Sequence, residues 1–324
     1  MITDGIINLN KPKDITSHKC VQVIRRLTGI KRIGHTGTLD PQTSGVLPIC
    51  IGKTTRIMEY LDLDFKKYSA ELTLGLVTDT QDIWGETISD VRRDLQEYGL
   101  SYEAIEKAFE PYNGTIEQIP PKYSAIRVAG KRLYEYARAG ESVEIKSRRV
   151  FIKDISINEI NLDEYKISFD VTCSKGTYVR SICNNIGEVL GCGGAMSSLI
   201  RLKSGVFSLE DAVTLDTLCE MDTESIKKLI IPTDFPLVNF GTAIIREQDR
   251  AEWFVNGGHI AFDEVNIEKE PKYATEEPHI EVRNEYKKAY NIYAGYSNEN
   301  VFLGVAFYSD KYKKLVADKV FFRP

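Results

Sequence analysis

The sequence predicts an α+β protein followed by a small all-β unit, on three observations. Apolar alternation and helical periodicity mix along residues 1–235 without the regular strand, helix, strand order of a doubly wound parallel sheet. After IPTDFP the texture changes to short apolar runs between polar turns, which places an all-β domain at 236–324. With 324 residues, 42% hydrophobic and 27% charged, the chain has enough apolar material for a main core and a second one without disulfide or metal staples.

Each element has its own signal. GIINLNKP reads as a strand ending at Pro12, and ITSHKCVQVIRRLTG as a helix with Thr16 or Ser17 as N-cap and Gly29 as the stop. VLPICIG, bounded by glycine and proline, reads as a buried strand, with KTTRIMEYLDL as the helix after it. KYSAELTLGLVT is a strand, and SYEAIEKAFE is an amphipathic helix with Tyr102, Ile105, Ala108 and Phe109 on one face. EQIPPKYSAIRVAGKRLYEYARAGE combines a Pro-Pro turn, a short strand and a basic helix bearing tyrosines. YKISFDVTCSKG is a strand that leads into the helix TYVRSICNNIGEVLG. In the last domain LVNF, HIAF, AYNIYAGY, NVFLGVAFY and LVADKVFF read as short strands.

Charge is segregated. The net charge is −5, yet residues 1–56 carry nine Lys and Arg against three Asp, and residues 122–149 carry eight basic and three acidic side chains interleaved with Tyr123, Tyr134 and Tyr136. Residues 174–205 add a further balance of +3. Such segregation suggests a polyanionic partner, although three separate solvated faces would give the same count. The segment 122–149 also has few large apolar residues and contains Gly130 and Gly140, so it is expected to be mobile alone and ordered on its partner.

Several classes of chemistry are disfavoured. The six cysteines are scattered with no C-x-x-C pair and read as reduced packing residues. LPICIGKTT ends like a phosphate-binding loop, but the position that needs glycine is Leu47, and no G-x-G-x-x-G follows a strand. His18, His35, His259 and His279 are not spaced as metal ligands. No signal segment or long apolar stretch is present, so a cytoplasmic protein without membrane contact, metal, nucleotide or other cofactor is expected.

The reactive groups that remain are Asp40, His35, Tyr68, Tyr178 and Arg180. Asp40 stands in GHTGTLDPQTSGVLP, a stretch rich in turn formers, so its carboxylate could simply serve its own turn. A carboxylate paired with an arginine suits a nucleophile or charge stabiliser better than a general acid, and Arg180 is the candidate for that pairing.

Four blocks carry a resemblance: NLNKPKDITS, GHTGTLDPQTSGVLPICIGKTTRIMEYL, YSAELTLGLVTDTQDIWGE and SKGTYVRSICNNIGEVLGCGG. Together they closely resemble the TruB family, bacterial tRNA pseudouridine synthases that isomerise uridine 55 in the T-arm. The likeness runs through residues 5–235 and includes IEQIPPKYSAIRVAGKRLYEYARAG, typical of the family's RNA-binding insertion, here about 111–149. It implies a catalytic domain on a mixed, largely antiparallel sheet with flanking helices at 1–235, and a PUA-like RNA-binding domain at 236–324. The stretch EKEPKYATEEPHIEVRNEYKKAY is longer and more acidic than the family's.

By that resemblance, Asp40 is the catalytic aspartate that attacks the target nucleoside so that the base can detach, turn and rejoin the sugar through carbon. Arg180 pairs with it, and Tyr178 lies near the base and assists proton removal. His35 helps hold the base extruded from the RNA stack, Tyr68 stacks on the uracil, Leu199 walls the pocket, and Lys11 belongs to the substrate-binding set. Ile200 before Arg201 departs from the family's more usual pair of arginines. Lys131, Arg132, Arg138, Arg148 and Arg149 are the candidate RNA contacts of the insertion. Two alternatives stay open: an RNA-binding or tRNA-chaperoning module whose Asp40 only forms a turn, and a synthase of the same fold acting on another RNA.

Overall fold

A computed structural model describes residues 4–61, 65–272, 283–295 and 300–321, so the long acidic stretch falls partly outside the described residues. The chain opens with β1 (Gly5–Lys11), buried on both faces, and α1 (Ser17–Thr28). Thr16 caps α1 by accepting from the Lys19 N–H, and Gly29, at φ 72°, closes it in the left-handed conformation. β2 (Ile33–His35) and the buried β3 (Ser44–Ile51) follow. The helix expected after β3 is a 3-10 turn over Gly52–Ile57 before it becomes α2 (Met58–Leu61).

KYSAELTLGLVT is two strands: β4 (Lys66–Leu74) ends at Gly75, whose φ is 79°, and β5 (Leu76–Thr78) turns away to pair with β6 (Thr87–Asp90). In α3 (Tyr102–Phe109), Ile105, Ala108 and Phe109 are buried, but Tyr102 is 56% exposed. Tyr102 is the first helical residue, directly after the Ser101 cap, and lies outside the buried stripe that the sequence pattern assigned to it. Next come β7 (Gly114–Gln118), a hairpin of β8 (Arg127–Val128) and β9 (Lys131–Arg132), and α4 (Leu133–Arg138). β10 (Arg148–Asn161), β11 (Lys166–Cys173), α5 (Val179–Val189) and β12 (Gly194–Ser204) complete the first layer, with β13 (Phe207–Ser208), β14 (Val213–Thr214), α6 (Leu215–Glu220) and α7 (Thr223–Lys228) at its margin.

Ten of these strands form one sheet whose main path runs β14-β1-β3-β12-β4-β11-β10-β7, with β2 paired to β3 and β13 to β12 beside it. Only β1 with β14 and β12 with β3 run parallel, so the sheet is mixed and largely antiparallel. Two apolar clusters carry helices. One joins α1 to Ile7, Leu9, Leu47 and Ile49, and the other joins α3 and α5 to Leu72, Leu74, Phe169 and Val171. Tyr68 packs against both, so it marks the seam between them.

The second unit is a six-stranded sheet: β15 (Gly241–Ile245), β16 (Ile260–Ala261), β17 (Val265–Lys269), β18 (Ala289–Ala294), β19 (Val301–Ser309) and β20 (Lys314–Val320), with α8 (Gln248–Val255) across it. LVNF is not a strand. It is a turn whose Leu237 and Phe240 are buried in a third cluster with Ile6, Val46, Tyr60 and Tyr286, and that cluster joins the two sheets. Among the described residues no helix is long and apolar enough to cross a membrane.

The seat of α5 is set by glycine. A Cβ at Gly187 would sit inside the van der Waals shell of the Gly194 backbone nitrogen, on the strand beneath the helix. Gly187→Ala is therefore expected to lower the unfolding free energy by about 2–3 kcal/mol, since neither backbone can retreat without disturbing β12. Denaturant unfolding checks this, and an unchanged midpoint would show that α5 has room to shift.

Candidate active site

Asp40 lies on the loop between β2 and β3, and four separate contacts fix that loop. Arg201, 1% exposed, donates from Nη2 to the Gly37 carbonyl at 3.1 Å and from Nε to Val46 at 2.6 Å. The Ser17 hydroxyl, at the first turn of α1, donates to the Leu39 carbonyl at 3.0 Å and accepts from the Leu39 N–H at 2.9 Å. The Lys11 ammonium donates to Pro41 at 3.2 Å, as well as to Pro12 and Ile15. The Asp40 carbonyl accepts from the Thr43 N–H at 3.0 Å and closes a turn. Turn and functional readings of Asp40 are thus separable. The turn uses its backbone, and the side chain, 45% exposed, is left to face Arg180.

Arg180, the second residue of α5 and 6% exposed, places Nη2 3.1 Å from Asp40 Oδ2. The same guanidinium donates to the Thr80 and Tyr123 carbonyls, each at 3.1 Å, and meets Asp82 Oδ2 at 3.5 Å. Burial raises the Asp82 carboxyl above the ordinary range, opposed by its hydrogen bond from Thr80 and by the Arg180 charge. One planar cation therefore ties together the Asp40 loop, the turn after β5 and the insertion.

Tyr178 stands directly before α5, with extended backbone at φ −106° and ψ 107°. Burial raises its phenol, so it is protonated at neutral pH, while the nearby charges of Arg180 and Arg148 work the other way. Tyr68 is the cross-strand neighbour of Arg201 on one side and Val171 on the other. Burial raises its pKa, and the nearby Arg201 charge opposes that rise. His35 ends β2. Burial, with Arg201 and His18 nearby, lowers its pKa, so the imidazole is neutral at pH 7, and its buried Nδ1 has no hydrogen-bond partner.

The sequence-predicted residues divide into three groups. Asp40 and Arg180 meet directly, with Tyr178 two residues before Arg180, and Tyr68 and His35 share the surroundings of Arg201. Leu199, 8% exposed, is opposite Ala70 on β4 and belongs to the core cluster under α5 that Tyr68 borders. Lys11 is fully buried, with its ammonium spent on three carbonyls and its pKa lowered to about 8, chiefly by burial. In this position it props the Asp40 loop from beneath. Lys131, Arg132, Arg138, Arg148 and Arg149 are all exposed on the insertion and the start of β10. Arg132 and Arg138 both lie over the Tyr134 ring, and Lys131 lies over Tyr136.

Asp82, Ser17 as a clamp, Arg201 as a prop and Gln118 at the end of β7 escape the sequence reading. Apart from Asp82, whose ion pair spans about a hundred residues, their partners are mainly distant backbone groups, which no local pattern announces.

Two family models match the chain: the TruB family pseudouridylate synthase N-terminal domain over residues 25–179, and the tRNA pseudouridylate synthase B C-terminal domain over 180–238. A tRNA pseudouridine synthase B of Clostridium novyi (strain NT) is 40% identical over 312 residues, covering 96% of this chain and 98% of its own. One of Alkaliphilus oremlandii (strain OhILAs) is 46% identical over 257 residues, covering 79% and 83%. Among solved structures, a Cbf5-Nop10-Gar1 complex matches with a TM-score of 0.70 and 24% identity, covering 99% of this chain and 86% of that one, a likeness of fold. Matched by these models and by relatives of this identity along most of its length, the chain belongs to the TruB family of pseudouridylate synthases.

Proposed function

We propose that this protein isomerises uridine 55 in the T-arm of tRNA to pseudouridine, with Asp40 as the nucleophile. The observation that carries this reading is the Arg180 guanidinium held 3.1 Å from a half-exposed Asp40 carboxylate on a loop pinned by Arg201, Ser17 and Lys11 and closed by its own turn. A pure RNA binder has no use for a carboxylate fixed so closely among cations, whereas a nucleophile gains rate from having its geometry set in advance. In the proposed reaction the bond between C1′ and N1 of the uracil breaks and a bond between C1′ and C5 forms. The proton on C5 leaves and N1 gains one, so atoms balance with no second substrate. Tyr68 stacks on the flipped base and neutral His35 supports the extruded position. Tyr178, beside the base, takes part in moving the C5 proton.

The test is to incubate the protein with an unmodified tRNA transcript and map pseudouridine along it. A single pseudouridine at position 55 is expected. Binding without any pseudouridine would favour the chaperoning module, and modification elsewhere would favour a different RNA target. The same reading carries the remaining assignments: the catalytic unit at 1–235, the six-stranded unit as a second RNA-binding surface, and a cytoplasmic location, where tRNA is the partner.

The insertion's role is proposed to be electrostatic. Arg148 is near enough to Tyr178 for its charge to be felt there, so the clean variant replaces Lys131, Arg132, Arg138 and Arg149 with Gln and leaves Arg148. Its binding to tRNA should weaken, with the slope of log K against log salt falling by about 0.7–0.9 for each phosphate that is no longer neutralised. Single-turnover rate at saturating tRNA should change far less than affinity. An unchanged slope would show that these cations are a solvated face.

A further inference from the structure

Gln118 is the last residue of β7 and is 3% exposed. Its side-chain amide bonds both backbone groups of one residue sixty positions away: Oε1 accepts from the Tyr178 N–H at 2.8 Å, and Nε2 donates to the Tyr178 carbonyl at 3.0 Å. An amide satisfied in both directions does for Tyr178 what a neighbouring strand would do, at a place where the chain is leaving β11 and has not yet begun α5. Tyr178 has no side-chain cap of its own; Gln118 grips the two peptide groups that flank its Cα, and the Tyr178 carbonyl also accepts from the Ser181 and Ile182 N–H groups, at 3.1 and 3.3 Å, as α5 begins.

Gln118 is also where the insertion leaves the sheet. Its cross-strand partner is Arg148, the residue at which the chain returns. The adjacent root residue Ile119 offers its carbonyl to the Ser181 hydroxyl at 3.4 Å, and Tyr123 offers its carbonyl to Arg180 at 3.1 Å. Tyr178, Arg180 and Ser181, all within the entry to α5, are thus each bonded to the first residues of the insertion. A basic segment that takes hold of RNA is joined at its root to the peptide of the residue facing the base.

We infer that Gln118 is a positioning residue for Tyr178, through which the root of the insertion sets the placement of the phenol in the active site; this rests on the reading of Tyr178 given under Proposed function. Misplacing a reacting group by an ångström can cost up to about a hundredfold in rate, while leaving binding by other surfaces intact. Gln118→Met keeps the length and the burial and removes both bonds. It is expected to lower the single-turnover rate at saturating tRNA by about tenfold or more, with tRNA affinity changed by less than about twofold.

The deciding measurement is a double-mutant cycle with Tyr178→Phe, which removes only the hydroxyl and is expected to slow the reaction by about a hundredfold. In the Tyr178→Phe background, Gln118→Met should cost less than about threefold, because the group it positions is already gone. A full tenfold loss in both backgrounds would mean that Gln118 acts by general destabilisation and would overturn the inference alone. An unaffected rate in Gln118→Met would do the same. If Tyr178→Phe is as fast as the parent, the reading of Tyr178 fails, and the inference with it. Thermal unfolding is followed for each variant, and should Gln118→Met not fold, the cycle is run with Gln118→Glu, which keeps the acceptor for the Tyr178 N–H and loses the donor to its carbonyl.

Discussion

Asp40→Asn removes pseudouridine formation, with a single-turnover rate at least about 10⁴-fold below the parent, while tRNA binding and unfolding midpoint stay close to the parent values. The amide has the shape of the carboxylate but does not attack a sugar carbon. Nothing that holds the loop depends on the side chain. The turn is closed by the Asp40 carbonyl, and Ser17, Lys11 and Arg201 grip Leu39, Pro41 and Gly37 through their backbone. The amide oxygen still accepts from Arg180, and a side chain that is 45% exposed carries little of the fold's stability. Asp82 is the other carboxylate on Arg180, and it is the control. It is 8% exposed, with Oδ1 accepting from both the Thr80 hydroxyl and the Trp84 N–H and Oδ2 facing Arg180, so Asp82→Asn is expected to cost stability and a smaller factor in rate. Quantifying pseudouridine in single turnover, beside a binding titration, checks both variants. Turnover by Asp40→Asn near the parent rate would take Asp40 out of the mechanism.

The sequence was legible where one local rule governed a segment. Helix α1 was bracketed by a threonine cap and a glycine stop, and β1 was a clean apolar run, so their bounds came out within a residue, while β11 was found but stops at Cys173, three residues before the end of the stretch read as strand. β12 went unread for a physical reason. It is central, lying between β3 and β4, and register shifts at Met196/Ser198 and Arg201/Lys203 break its alternation. β10 fails the same test, with shifts at Ile152/Asp154 and Ile157/Glu159, and its first two residues were read as part of a basic run. LVNF looked like a strand because Leu237 and Phe240 are apolar, but what they satisfy is the contact between the two units. The site shows the same division. Composition gave Asp40 basic surroundings and left Arg180 as the candidate partner for its carboxylate, and the family resemblance named the same pair, but no spacing rule spans the 140 residues between them.

Arg180→Met should produce the second-largest loss, about 10²–10³-fold in single-turnover rate, together with about 3–5 kcal/mol of unfolding free energy. Arg180 is 6% exposed and serves four acceptors, so its removal strands the Asp82 carboxylate and the carbonyls of Thr80 and Tyr123 in a buried place. Lysine does not replace it. Arg180→Lys restores the charge, but a single ammonium has no planar fork to bridge the Asp40 loop, the Thr80 turn and Tyr123 together, so stability should recover more than rate. The stability deficit of the methionine variant has a definite pH dependence. Burial already raises the Asp82 carboxyl above 3.8, and Arg180 is one of the groups that hold it down, so without the arginine it rises further. A carboxyl whose folded value lies above its unfolded value binds its proton more tightly in the native state, so stability falls as pH rises from about 3.8 through the raised value. The gap between variant and parent should therefore narrow on acidification through that window and be widest at neutral pH. Denaturant unfolding at a series of pH values, beside single-turnover rates at neutral pH, reads both effects. A variant that matched the parent in rate would detach Arg180 from Asp40's chemistry, and a deficit independent of pH would show that Asp82 is not the group left stranded.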